Sequence, residues 1–119
     1  MPSHKPKRRF QDILENISLI LDDVEDVDEA TFGRDRLLQD AVLFRLLRIS
    51  EAAVKLGPEA ERLAPDQPWQ PIRAFGNVLR HEYDLVAINQ VWLIVTRDLP
   101  SLARACRLAL ADMDDIPPQ

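Results

Sequence analysis

The chain has 119 residues, 46% of them hydrophobic, with three glycines and a formal charge of −5; that is enough for one modest core and too little for a second domain. Its single cysteine, Cys106, excludes an intramolecular disulfide, and two distant histidines, His4 and His81, leave no HExxH or clustered-ligand spacing, so no metal or cofactor is expected. Lys5, Lys7, Arg8 and Arg9 supply four positive charges, so residues 10–119 sum to −9, a body without the broad basic footprint of a general nucleic-acid binder.

Residues 1–8 read as a basic, Pro-containing tail, disordered or lending local attraction to phosphate, ahead of one helical domain over residues 9–111. No apolar run approaches a membrane span and no signal-peptide core is present, so a soluble, cytoplasmic protein with no membrane partner is expected. Phe10, Ile13, Leu14, Ile17, Ile20, Leu21 and Val24 recur at threes and fours and predict a helix over residues 8–25 with this stripe in the core. The acids that follow, Asp22 to Glu29, read as a solvated helix end and turn rather than a cation site.

A short turn over residues 29–32 leads through Gly33 into a long helix over residues 35–56. Leu37, Leu38, Ala41, Val42, Leu46, Ile49, Ala52, Ala53 and Leu56 are its expected buried side, and Gly57-Pro58 stops it. Glu51 sits amid this apolar set, either a functional carboxylate or one held by an arginine or backbone donor. Residues 58–63 suit one or two helical turns, and the prolines of residues 64–68 enforce a loop. Trp69 is expected as an anchor in the core or at a subunit contact, with no second exposed aromatic to make it an RNA platform.

The next helix, opened by Pro71 in its first turn, is expected to run on through Val86. At about 100° per residue, Ile72, Phe75, Leu79, Tyr83 and Val86 share one arc, and Arg73, Asn77, Arg80, His81 and Asp84 share another. One side packs; the other, an imidazole flanked by guanidiniums and an amide, suits phosphate. A last helix over residues 88–111 is kinked or divided by Pro100, and residues 112–119 should fray. With no alternating β-branched runs and no hairpin signal, the fold class is all-α: an antiparallel bundle of four principal helices plus short helical turns.

Pro68-Trp69-Gln70-Pro71-Ile72 followed by Gly76-Asn77-Val78-Leu79-Arg80-His81-Glu82-Tyr83 resembles the signature of the HEPN superfamily, specifically the HepT-type toxins of prokaryotic toxin–antitoxin pairs. Leu38-Gln39-Asp40-Ala41 leading to Glu51-Ala52-Ala53 is similar to the family's second long helix, and Val91-Trp92 leading to Asp98-Leu99-Pro100 to its last, so the likeness spans roughly residues 8–111. The family's motif is Arg, four to six residues, His, one residue, Tyr, with a polar residue after the Arg. His81, Tyr83 and Asn77 match, but Gly76 stands where the Arg would be.

The resemblance implies a homodimer with an RNA cleft shared between two motif helices, and a metal-independent endoribonuclease. In it a 2′-hydroxyl attacks the adjacent phosphodiester with His81 as general base or acid. Arg80, or failing it Arg73, would neutralise the phosphorane, Asn77 would orient the ring or bind phosphate, and Asp84 would line the site. Tyr83 is the position at which a cognate nucleotidyltransferase antitoxin attaches adenylyl groups in that family; a core tyrosine with its hydroxyl at the edge is a compatible alternative. Arg80 lies one turn beyond Gly76 and either reaches back to serve the same phosphate or pairs with Asp84 at i, i+4. A non-catalytic nucleotide-binding relative and a plain helical scaffold remain as other readings, because of Gly76.

Overall fold

The computed structural model describes residues 5–114; of the tails expected over residues 1–8 and 112–119, residues 1–4 and 115–119 lie outside the described residues, and residues 6–8 and 112–114 are helical. Apolar residues spaced at threes and fours form helices α1 (Pro6–Asp23), α3 (Arg36–Leu56) and α5 (Trp69–His81), joined by the short α2 (Glu29–Arg34) and α4 (Pro58–Leu63). A fourth long element consists of α6 (Ile88–Leu93), a π-helical turn (Ile94–Asp98) and α7 (Leu99–Asp114). No strand occurs among the described residues, and the fold is all-α.

Helix ends follow local chemistry. α1 starts two residues before the expected Arg8, because Pro6 stands in the first turn, where its missing N–H has no helical acceptor to lose. Asp28 caps α2 by accepting from the Thr31 N–H at 2.8 Å, which holds its carboxyl below the usual aspartate range. Asp35 caps α3 in the same way through the Leu38 N–H at 3.0 Å. Gly57 ends α3 at φ 58°, a left-handed backbone that only glycine adopts without strain. Before Pro100 the Leu99 N–H reaches back five residues to the Ile94 carbonyl, so the missing N–H of the proline is absorbed in a widened turn rather than a break.

The long elements alternate in direction. Asp23 at the end of α1 meets Arg45 in the first half of α3 at 3.1 Å, while Arg73 near the start of α5 meets the last carbonyls of α3. Phe10, Ile13, Ile17, Val42, Ala53, Val91, Val95 and Cys106 are sealed between them. Trp69 belongs to this core: its ring meets Phe10 edge-on at 6.3 Å and its indole N–H donates to the Ala64 carbonyl at 2.8 Å. Phe32 of α2 packs on Trp92 of α6, ring centres 5.1 Å apart.

Two expectations for α3 are corrected. Leu37 is 82% exposed, and Phe44, seven residues on along the same side of α3, is 58% exposed, so this stretch of the helix surface is not covered as its apolar residues suggest. Glu51 is likewise exposed rather than set among apolar neighbours. Among the described residues, no helix is long and apolar enough to cross a membrane.

Candidate active site

α5 is shorter than its apolar spacing suggests. It ends at His81, and Glu82 leaves the helix at φ −142° before a tight 3-10 turn over Tyr83–Leu85. The Glu82 N–H closes onto the Val78 carbonyl at 2.7 Å and the Leu85 N–H onto the Glu82 carbonyl at 2.9 Å. The turn swings Tyr83 off the buried arc of Ile72 and Leu79, so its ring is 64% exposed and the core placement does not hold. Asp84 is also exposed, on the turn rather than the helix.

Where α5 crosses α3, Gly76 lies against Ser50. A Cβ on Gly76 would fall inside the contact distance of Ser50 Oγ and 3.0 Å from Ser50 Cβ, so a glycine is required for the helices to approach this closely. Ser50 is buried and donates to the Arg73 carbonyl at 3.1 Å, a second tie across the same crossing. The motif position therefore faces a packed helix, and an arginine has no room there.

The space above Gly76 is taken by Arg80. Its Nη1 lies 3.4 Å from the position a Cβ would take on Gly76, and its Nη2 donates to Asn77 Oδ1 at 2.8 Å. The guanidinium thus folds back one turn toward the motif position. No ion pair joins Arg80 to Asp84, and no hydrogen bond joins Asn77 to the imidazole, among the described residues. Asn77, Arg80 and His81 form one exposed group at the C-terminal end of α5, with Tyr83 two residues beyond.

Arg73 is placed differently. Its Nε and Nη2 donate to the carbonyls of Ala53 and Gly57, at 3.3 and 2.8 Å, and Nη1 and Nη2 form a two-pronged pair with Glu61 at 2.8 and 2.6 Å. The Ala53 carbonyl stands in the last turn of α3 and the Gly57 carbonyl, which also accepts from the Ala60 N–H at 3.1 Å, just beyond it, so Arg73 caps one helix from another. The Arg73 hydrogen bond holds the Glu61 carboxyl below its ordinary range, and the same bond raises the arginine. The guanidinium is engaged at the start of α5 and is not brought to His81.

Beside the site, Tyr83 and Leu79 close a cavity of about 180 Å³ with Asp40, Leu43, Phe44 and Leu47 of α3. Phe44 is 58% exposed, an accessible aromatic that sequence spacing did not single out because it follows directly on the buried Val42 and partly buried Leu43. Ser50 was also missed; a small polar residue inside an apolar helix face, opposite a small residue on another helix, was the available signal.

A family profile described as Ribonuclease HepT-like matches residues 13–109. The chain is 33% identical over 100 residues to a Thermococcus cleftensis protein named "Probable ribonuclease HepT", covering 84% of this chain and 89% of that one. It is 26% identical over 104 residues to a Methanocaldococcus jannaschii protein provisionally named an RNase, covering 87% and 95%. A second protein of that organism, named for gamma-glutamylcyclotransferase and, provisionally, RNase activity, is 30% identical over 102 residues; the match covers 86% of this chain and 46% of that protein. No solved structure matches. With most of its length inside the profile and a third of the aligned residues shared with a relative of similar size, the chain belongs to the HepT-like ribonuclease family.

Proposed function

We propose that this protein is a metal-independent endoribonuclease acting as the toxin of a toxin–antitoxin pair, with RNA as substrate and a nucleotidyltransferase as antitoxin. The observation that carries the proposal is the Arg80 guanidinium folded over Gly76 and held by Asn77, one residue from an exposed imidazole. A cation thereby occupies the neighbourhood of the motif arginine although its sequence position holds glycine.

The imidazole of His81 takes the proton of a ribose 2′-hydroxyl, the 2′-oxygen attacks the adjacent phosphorus, and the bond to the 5′-oxygen breaks. The departing oxygen accepts a proton, and the products end in a 2′,3′-cyclic phosphate and a 5′-hydroxyl. Arg80 stabilises the charge that builds on the phosphorane. Asn77, its oxygen committed to Arg80, keeps two N–H donors for a phosphate oxygen. Asp84, exposed beside Tyr83, lines the binding surface, while Arg73 serves by fixing α5 against α3. Tyr83, with most of its ring in solvent, is accessible to a modifying enzyme, and an adenylyl group there would block the site with bulk and negative charge.

A homodimer that joins two such sites is supported by Leu37 and Leu85, 82% and 72% exposed. Leu85 is next but one to Tyr83, and Leu37 lies one turn before Asp40 of the adjoining cavity.

Incubation of purified protein with a defined RNA in EDTA tests the reaction. Cleavage by the parent that falls at least about 100-fold in His81→Ala, and by a similar factor in Arg80→Ala, is the expected result. RNA left equally intact by parent and His81→Ala would favour the non-catalytic nucleotide-binding reading suggested by Gly76.

A further inference from the structure

A cleft of about 330 Å³ lies between α1 and the C-terminal half of α3. Arg8 and Arg9 line it from α1, and Arg48 and Lys55 from α3; the carboxylates facing them are Asp12 and Glu51. Four cations against two carboxylates leave a local charge of +2 on a chain whose total is −5. The only side-chain hydrogen bond Arg9 makes among the described residues is a long one of 3.4 Å to Asp12, and its buried Nε is left without an acceptor. Like charges gathered in one concavity repel, and a bound anion relieves that repulsion.

Phe44 connects this cleft to the candidate active site, since it lines both the cleft and the cavity that Tyr83 closes. Its ring is 58% exposed, and the Arg48 guanidinium lies 5.8 Å from the ring centre. An accessible aromatic beside a guanidinium, at the head of a basic groove, is the combination that holds single-stranded nucleic acid: bases stack on the ring and phosphates follow the cations. From Asp40 to Lys55, α3 spans about 22 Å, long enough to carry several nucleotides away from the reacting linkage.

We propose that the α1–α3 cleft is a second RNA subsite, in which Arg8, Arg9, Arg48 and Lys55 hold backbone phosphates and Phe44 stacks a base between the cleft and His81. The choice of RNA as the polyanion rests on the ribonuclease reading above; the cleft and its charge do not. The subsite supplies local affinity to a protein whose overall charge repels RNA.

The test is fluorescence anisotropy with a labelled single-stranded 2′-O-methyl oligonucleotide of about ten nucleotides, within the span such grooves accommodate. This probe has no free 2′-hydroxyl, so binding is read apart from cleavage. Arg8→Ala/Lys55→Ala is expected to flatten the plot of log affinity against log salt by about 1.4, or about 0.7 per cation removed. Arg8→Lys/Lys55→Arg keeps the parent slope, as does Arg107→Ala, which removes a charge outside the cleft. Phe44→Ala weakens binding about 5-fold or more with the slope unchanged, and Phe44→Trp restores it.

A parent that does not bind the probe, or an Arg8→Ala/Lys55→Ala variant with parental affinity and slope, overturns the proposal. A Phe44→Ala variant that changes the mass in solution with affinity unaltered makes Phe44 a subunit contact and overturns the stacking role. If the cleft variants behave as expected while the parent cuts no RNA, the nuclease reading falls and the subsite stands.

Discussion

Replacing Gly76 with alanine is the sharpest probe of the α3–α5 crossing. In an ordinary helix interior the change stabilises by about 1 kcal/mol, because alanine loses less backbone freedom on folding. Here the new methyl meets Ser50, whose Cβ is 3.0 Å away and whose Oγ is nearer still. Overpacking of this kind costs about 1–3 kcal/mol. Turning Oγ aside also breaks its bond to the Arg73 carbonyl, for about 1 kcal/mol more. The opposing terms leave Gly76→Ala destabilised by about 1–3 kcal/mol, so the urea midpoint, followed by circular dichroism, falls by on the order of 1 M.

Ser50→Ala on the Gly76→Ala background removes the nearer atom and recovers more than half of the loss, a coupling that independent sites do not show. Gly76→Arg, which rebuilds the family motif in sequence, meets the same wall of α3 and yields no gain in RNA cleavage. A Gly76→Ala protein as stable as the parent, or more so, would refute the close crossing and with it the reason Arg80 covers that space.

Arg73→Ala, which takes the guanidinium from the Ala53 carbonyl and leaves the Gly57 carbonyl only the Ala60 N–H, is expected to lower stability by about 1–3 kcal/mol in urea titrations. Arg73→Lys recovers less than half of this, since an ammonium cannot fork between two carbonyls and a carboxylate. The depressed Glu61 carboxyl binds its proton more weakly in the folded chain, so its contribution is present above the ordinary glutamate value of about 4.3 and is lost as pH falls through the lowered one. Glu61→Gln should flatten the acid limb of a stability–pH curve in that window, and unchanged limbs would count against the pair. Burial pushes the Cys106 thiol up to about 12; a thiol-specific disulfide reagent at pH 8 should leave the native protein unmodified and label one thiol per chain in urea. Because the folded state holds that proton more tightly, stability should decline as pH rises from about 8.5 toward that value.

Much of the helical framework was legible because its signals are local. Phe10, Ile13, Ile17 and Ile20 repeat at the helical period, and Gly57-Pro58 ends a helix by its own backbone limits. The motif helix shows where such signals stop. Tyr83 lies on the same arc as Ile72 and Leu79 only if the helix continues, and the departure at Glu82, which periodicity does not encode, carries it into solvent. Leu37 was expected inside for a like reason: hydrophobicity marks a residue as suited to burial without saying whether a neighbouring helix covers that face.

The chain's own order of residues determined that this protein is an all-α bundle and that a histidine, an asparagine and arginines suited to phosphate share one side of the motif helix, since both follow from interactions within a few turns of helix. Only the tertiary structure decided which arginine stands near that imidazole. Arg73 and Arg80 are equivalent as residue types, but the first meets the carbonyls at the end of α3 and Glu61 of α4, and the second the space over Gly76 and the Asn77 side chain of its own helix. A long cation goes to whichever acceptors another helix brings within reach, and that depends on how the helices cross.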